Sequence, residues 1–375
     1  MTYYHLSAFQ LSQFNTYFIW GYALMSIPAG FIVDMWGVKK SYKLSVYLIF
    51  LFIVCFFISK IFWLDLIFRF LIGLFGCFSF ILVMKVIFDK VPNNLRGLYV
   101  GMTFSICTLG AVFGDSILND FSSYNSFLFF VSLILVFGLF LILLDIFIMK
   151  GYTDKKSDIN IFMYVKPIFV SAVILGVIAG IMYLPFALWQ GLWGKSFIIQ
   201  ASGLNNVELM EIIFFMCLGW IIGAITIGKL SDHYDYKAIL GFFILLEIIS
   251  NYLINYFIVV SVSDYIVLYV LIFGFSSSAI LILYMMSGVI FNKAPSVGIA
   301  IVNACLTFLI CLIFPILGLF IYNPNTTVLN AINNSLYDYR HAEAIINTLL
   351  LGSLLLWLFY LKYNKIMVSI KNPTS

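Results

Sequence analysis

Long apolar runs separated by short polar segments dominate this chain. Eleven runs contain about 20 mostly apolar residues, the length that an α-helix needs to cross the hydrocarbon core of a bilayer. They cover residues 11–33, 41–59, 62–88, 98–118, 127–149, 168–192, 208–227, 238–260, 265–291, 297–321 and 342–361. The pattern therefore predicts an all-α membrane protein with eleven transmembrane helices.

One polar segment between the runs has the character of a linker. Residues 150–160 separate five apolar runs from six. This predicts an N-terminal five-helix half at 1–149, a cytoplasmic linker at 150–160 and a C-terminal six-helix half at 161–375. Each half would be a helical bundle.

Composition supports placement of the helices in lipid. Hydrophobic residues make up 63% of the 375 residues and charged residues 10%, whereas soluble domains carry roughly 25% charged residues. A water-soluble core could not hide this much apolar surface. The net charge of +4 is spread over many short loops, so we expect no basic face and no nucleic-acid partner.

Basic residues predict the orientation, because cytoplasmic loops carry an excess of lysine and arginine. With the C terminus in the cytoplasm, sixteen of the 20 basic residues lie inside, three lie outside and Arg69 lies within a run. The N terminus is then outside. The short loops and the bias toward Phe, Ile, Lys and Asn favour a multi-pass protein of a bacterial plasma (inner) membrane.

Signals of enzymatic chemistry are missing from the sequence. All six cysteines lie inside apolar runs without a C-x-x-C pair, and the three histidines are isolated. No metalloprotease, P-loop or nucleophile-elbow motif occurs. We therefore expect no cofactor, no metal site and no enzyme. An integral-membrane enzyme is the alternative from a different class, and it would need a cluster of His, Asp or Glu at one membrane face.

A short motif occurs twice. Residues 30–40 read GFIVDMWGVKK and residues 228–237 read GKLSDHYDYK, so that Gly-x-x-x-Asp is followed by lysine in both copies, 198 positions apart. This indicates an internal repeat. The same offset would place the counterpart of the first helix of the second half before Met1, so we expect that helix to be missing from the sequence as written.

These motifs resemble the loop after the second helix of the major facilitator superfamily. Further similarities follow in the same order: LSAFQL at 6–11, SIPAG at 26–30, RFLIG at 69–73, GAVFG at 110–114 and WQGLWG at 189–194. The resemblance implies the major facilitator fold of two repeat-related bundles, here without helix 1 of the usual 12. The chain departs from the motif where Met35 and His233 replace basic residues.

The repeated loops are the predicted gate. A carboxylate at the end of a helix can accept hydrogen bonds from amides at another helix N terminus, and such a bond can break when the two halves rock apart. The alternative is a pair of solvated turn residues. The predicted gating residues are Gly30, Asp34, Gly37, Lys39, Lys40, Gly228, Asp232 and Lys237.

Charged residues inside the runs are candidates for substrate binding and coupling, because a charge there is costly without a partner. Arg69 would anchor an anionic or zwitterionic substrate, or would instead extend to the outer interface. Asp115 is the first candidate for proton coupling. Glu247 is the second, with a structural hydrogen bond as its alternative. Lys85 is expected to extend toward the inner interface rather than pair with a carboxylate.

The remaining substrate candidates follow from the resemblance, because the seventh helix of the family lines the transport cavity. They are Tyr183, Trp189, Gln190 and Trp193, joined by Tyr284 and Asn303 on later helices.

Taken together, the sequence predicts a monomeric secondary active transporter that works by alternating access. Its partners would be the lipid bilayer, a small polar or anionic metabolite and, through symport, protons. A second interpretation is a transporter-like sensor or a truncated remnant that no longer transports.

Overall fold

A computed structural model describes residues 8–59, 61–120, 124–148, 153–154, 167–190, 206–260, 263–321 and 336–371. Within these residues all regular structure is helical and no strand occurs. A 3-10 turn at Asn93–Leu95 precedes the fourth helix. The α-helices of the described residues are α1 (Ala8–Trp36), α2 (Val38–Ile58), α3 (Phe62–Lys90), α4 (Arg96–Asp120), α5 (Tyr124–Ile148), α6 (Pro167–Gln190), α7 (Asn206–Ser231), α8 (Tyr236–Val260), α9 (Ser263–Ser277), α10 (Ile280–Ile290), α11 (Pro295–Ile321) and α12 (Leu336–Lys371).

Ten of the eleven predicted runs each coincide with one helix and the run at 265–291 with two, and the prediction of an all-α membrane protein is confirmed. Ten helical segments of the described residues are long and apolar enough to cross a membrane, and a shorter apolar segment, Val131–Leu143, lies in α5. The crossing over Ile266–Ile290 consists of α9 and α10, which a turn at Ser278 and Ala279 separates. Run length could not predict that break.

The outer surfaces of the helices suit a lipid environment. Val136, Phe137 and Phe140 of α5 are each more than half exposed, which would be costly in water and is favourable against acyl chains. Prolines occur inside α1, α6 and α11. Membrane helices tolerate them because neighbouring helices satisfy the freed backbone groups.

By internal packing the chain forms two compact units. Unit 1 comprises Met1–Val91, Phe113–Ala172 and Met286–Cys311, and unit 2 comprises Pro92–Val112, Val173–Met285 and Leu312–Ser375. The division of the sequence into halves at 150–160 remains a prediction.

Both units contain the same kind of close helix crossing. In unit 1, a Cβ atom at Gly21 of α1 would collide with the Phe70 carbonyl oxygen of α3. In unit 2, a Cβ atom at Gly219 of α7 would collide with the Leu271 carbonyl oxygen of α9. Small residues permit such backbone approach in membrane proteins. The two glycines are 198 positions apart, the same offset as the repeated motif, which supports an internal repeat.

Candidate functional site

A buried charge cluster surrounds Asp34 at the end of α1. Its side chain is wholly buried, and Oδ1 lies 2.9 Å from Nζ of Lys85, a residue of α3 that is itself only 2% exposed. Asp89, one turn further along α3, lies 3.4 Å from the same Nζ atom. The backbone N–H of Val297, in the first turn of α11, donates to Asp34 Oδ2 at 3.1 Å. We call Asp34, Lys85 and Val297 the Asp34 clasp.

Lys85 is buried and pairs with a carboxylate, so the expectation that it would not do so was wrong. Sequence alone could not show that Asp34 would be enclosed between α3 and the start of α11. A buried carboxylate without a partner is costly, and Lys85 supplies the positive charge. The residue after Asp34, where the family motif has a basic residue, is Met35, and its side chain is 45% exposed.

The two glycines of the first motif are needed for different structural reasons. A Cβ atom at Gly30 would lie 2.6 Å from Cβ of Ala300, so glycine allows α11 to approach α1. Gly37 has a φ of 87°, a left-handed conformation that glycine adopts without strain. Beyond it, the Lys39 N–H donates to Asp154 Oδ1 at 3.2 Å. Lys40 is exposed and lies outside the clasp.

The second motif forms a related contact within unit 2. The N–H groups of Gly97 and Leu98, in the first turn of α4, donate to Asp232 Oδ1 and Oδ2 at 2.6 and 2.9 Å. A Cβ atom at Gly228 would collide with the Gly97 carbonyl oxygen, so α7 and α4 also meet at glycine. We call Asp232, Gly97 and Leu98 the Asp232 clasp. Lys237 is exposed and lies outside it.

The substrate candidates divide between the two units. In unit 1, the Arg69 guanidinium lies over the rings of Phe18 and Phe56, with its carbon 5.4 and 5.9 Å from their centroids. Asn303 Nδ2 donates to Ser26 Oγ at 3.1 Å. Arg69 and Asn303 of unit 1 therefore both pack against α1. Trp193, another substrate candidate, lies outside the described residues.

In unit 2, residues of α6 pack into an aromatic cluster. The ring of Tyr183 lies 5.8 Å from that of Trp220, and Phe186 lies 4.2 Å from it. The indole nitrogen of Trp220 is buried and has no acceptor among the described residues. The sequence interpretation missed Trp220, because aromatic residues are 19% of the chain and no spacing marks it.

Other candidates of unit 2 are engaged in helix packing. Trp189 is 3% exposed, and its Nε1–H donates to Asn251 Oδ1 at 3.0 Å. Gln190 Nε2 lies 3.8 Å from Cys217 Sγ. Tyr284 is 3% exposed and its ring lies 5.5 Å from that of Phe104.

Of the two coupling candidates, the structure describes the surroundings of Glu247. The carboxyl group is wholly buried in α8, and Ser277 Oγ, at the end of α9, donates to Oε1 at 2.8 Å. Oε2 has no partner among the described residues. Asp115 lies in α4, and its side chain is outside the part that the structure describes.

A set of polar residues that the sequence interpretation missed continues from Glu247. Asn255 Nδ2 donates to Glu343 Oε2 at 2.9 Å, and Asn251 Nδ2 donates to Asn347 Oδ1 at 2.8 Å. The signal was present in the sequence, because residues 247, 251 and 255 are spaced by four, as are 343 and 347. Such spacing puts polar groups on one helix face.

Comparison with known proteins gives a family and a fold. The family model of the Major Facilitator Superfamily matches residues 1–315. A comparison with curated protein sequences gives no significant match.

Several solved structures are similar throughout their length. A bacterial homologue of the iron transporter ferroportin, in an outward-facing state, has a TM-score of 0.72 at 12% identity, with 96% of this chain and 92% of that chain covered. The E. coli fucose:proton symporter has a TM-score of 0.67 at 15% identity, with 94% of this chain and 91% of that chain covered. At these identities the similarity establishes the fold.

Proposed function

The chain belongs to the major facilitator superfamily, and we propose that it is a proton-coupled secondary transporter. The solved structures to which it is similar are transporters rather than enzymes. It would move a small polar or anionic metabolite by alternating access. We further propose a monomer in a bacterial inner membrane, with its C terminus in the cytoplasm. The resemblance to this superfamily and the expectation of a non-enzyme are confirmed.

The observation that carries the proposal is the pair of clasps at repeat-related positions. In each clasp, a carboxylate at the end of one helix accepts hydrogen bonds from the first turn of another helix. Carboxylates are favoured there by the helix dipole, and the contact can break without unfolding either helix. Repeat-built transporters alternate access by moving packed elements against one another, and we propose that the clasps open and close in that cycle.

Arg69 supports the choice of a polar or anionic substrate. Its guanidinium carbon lies over two aromatic rings, and among the described residues it has no ion-pair partner. The planar edge of an arginine carries several N–H donors suited to a carboxylate or phosphate. A metabolite with such a group is therefore the proposed substrate class.

Uptake into proteoliposomes tests this function. Labelled sugars, carboxylates and phosphate esters would be offered with and without an inward proton gradient. We expect one chemical class to accumulate only with the gradient and to be lost with a protonophore. Arg69→Lys should weaken its binding by on the order of 1–3 kcal/mol, the range for a charge-assisted hydrogen bond. Uptake unaffected by the gradient would contradict symport. No uptake by a correctly inserted protein would favour the sensor or remnant.

Asp115 and Glu247 can be distinguished as coupling groups. Replacing the coupling carboxylate with its amide should abolish accumulation against a gradient but leave substrate exchange intact, because exchange requires no net proton movement. Asp115→Asn and Glu247→Gln are therefore compared in both assays at equal abundance in the membrane. Equal loss of both activities would identify the residue as structural.

A further inference from the structure

Helix α8 carries a polar stripe through an otherwise apolar crossing. Glu247, Asn251 and Asn255 follow one another at intervals of four residues, so they lie on one face and extend over about 12 Å of helix length. Glu247 and Asn251 are wholly buried. Polar groups inside a membrane are costly and usually functional.

Helix α12 supplies the partners of this stripe. Glu343 accepts from Asn255, and Asn347 accepts from Asn251. The indole N–H of Trp189 donates to the side-chain oxygen of Asn251 and fixes the amide from a third helix. We call Glu247, Asn251, Asn255, Glu343 and Asn347 the polar ladder, and all five belong to unit 2.

The two ends of the polar ladder differ. Glu343 is half-buried and begins the membrane segment of α12, at the end that the basic residues predict to face outside. Glu247 is wholly buried near the middle of α8. Two buried oxygens of the ladder, Oε2 of Glu247 and Oδ1 of Asn255, have no partner among the described residues. Buried acceptors of this kind are satisfied by ordered water in most proteins.

We propose that the polar ladder is a proton route between the aqueous phase at Glu343 and the buried carboxylate of Glu247. A hydronium ion of the aqueous phase protonates the Glu343 carboxylate and becomes water. The proton then passes along water held by the asparagine oxygens to the Glu247 carboxylate, and Glu343 is left ionised again. One proton moves and nothing is oxidised or reduced. The proposal rests on the proposed function, since it assigns Glu247 as the coupling group and adds its access path.

The charge environment suits a group that gains and loses a proton. Glu247 contacts Ser277, and Glu343 contacts Asn255. No described cation lies in ion-pair contact with either carboxylate. The other Asp, Glu, Lys, Arg and His residues of these helices lie at or beyond the ends of their membrane segments: Lys237 on α8, Asp264 on α9, and Asp338, Arg340, His341, Lys362, Lys365 and Lys371 on α12. Hydrogen bonding that only holds helices together would not require carboxylates at both ends.

Infrared difference spectroscopy tests the route without a substrate. Purified protein in lipid nanodiscs would be stepped in pH while the carbonyl stretch of protonated carboxylic acids is recorded. We expect Glu247→Gln to lose one pH-dependent band. Glu343→Gln should keep that band but slow its appearance after a pH jump by at least about tenfold, because the entry group is removed. Glu211→Gln, on an exposed side chain of α7, is the matched control and should leave both unchanged.

A full pH-dependent response in Glu247→Gln, or a wild-type rate in Glu343→Gln, would overturn the proposal. If Glu247→Gln fails to accumulate in the membrane, Glu247→Asp should retain a shifted band, and loss of pH dependence there would also overturn it. Proton-driven uptake that persists in both glutamine variants would refute the route while leaving the transport function in place. If the wild type shows no uptake, the proposed transport function fails, but the infrared measurement still tests the proton route because it needs no substrate.

Discussion

The two clasps each stabilise a carboxylate at a helix end, but they use different partners. Asp34 is wholly buried and combines one backbone amide with the ammonium group of Lys85. Asp232 is half-buried and accepts from two backbone amides, those of Gly97 and Leu98. Burial decides which partner is needed. A carboxylate that keeps contact with solvent can be stabilised by a helix N terminus alone, whereas an enclosed one requires a compensating charge.

The largest expected effect follows from breaking the buried pair. Lys85→Met would leave Asp34 enclosed without a counter-charge and should lower the free energy of unfolding by about 3–5 kcal/mol. Adding Asp34→Asn to Lys85→Met should recover part of this loss, because the wholly buried carboxylate is then neutral and only Asp89 still lacks the lysine. Unfolding of the purified protein in mixed micelles measures both. Lys362→Met, at an exposed lysine, should be close to neutral. A loss as small as that control would show that Lys85 does not compensate Asp34.

Adding a methyl group tests whether both clasps depend on close backbone approach. Gly228→Ala would force α7 away from the Gly97 carbonyl oxygen, and Gly30→Ala would push α1 against Ala300. Each should cost about 1–3 kcal/mol of unfolding free energy, the usual cost of overpacking. Gly352→Ala, where a Cβ would meet nothing within 4 Å, should stabilise α12 by roughly 0.5–1 kcal/mol. Equal effects at all three glycines would contradict the packing argument.

The smallest expected effect is a difference between the two clasps in how their contribution to stability depends on salt concentration. Asp232→Asn keeps one acceptor oxygen but loses the charge–dipole attraction, and should cost about 1 kcal/mol or less. Because Asp232 is half-buried, this cost should shrink as salt rises. The destabilisation by Lys85→Met should persist, since screening does not reach a buried pair. Melting temperatures at low and high salt measure both, and equal salt dependence would refute the difference in burial.

Much of the fold could be predicted because a bilayer fixes the length of an apolar helix. All eleven runs are helical, whereas the orientation that the basic residues indicate stays a prediction. The turn between α9 and α10 was not predicted, since Ser276, Ser277 and Ser278 are compatible with a continuous membrane helix. Their hydroxyls bond to neighbouring groups, and only the packed structure shows that the helix breaks there.

The sites were less predictable because hydropathy does not show which face of a helix points inward. Trp189 was a substrate candidate by its place on α6, yet its indole N–H bonds to Asn251. Lys85 has the sequence position of an interfacial lysine, but in the structure it is buried and pairs with Asp34 of α1. The asparagines of α8 were passed over because single polar residues are common in membrane helices, although their regular spacing distinguishes them.

The distance along the chain between clasp partners has a consequence for synthesis. The amide donors of Asp232 precede it by 134 and 135 residues, so the ribosome has made them before the aspartate emerges. The amide donor of Asp34 follows 263 residues later, a delay of roughly 13–50 s at typical elongation rates. Lys85 emerges far sooner. During that interval Lys85 is the one partner in the clasp already available to Asp34, so the ion pair can form before the backbone hydrogen bond.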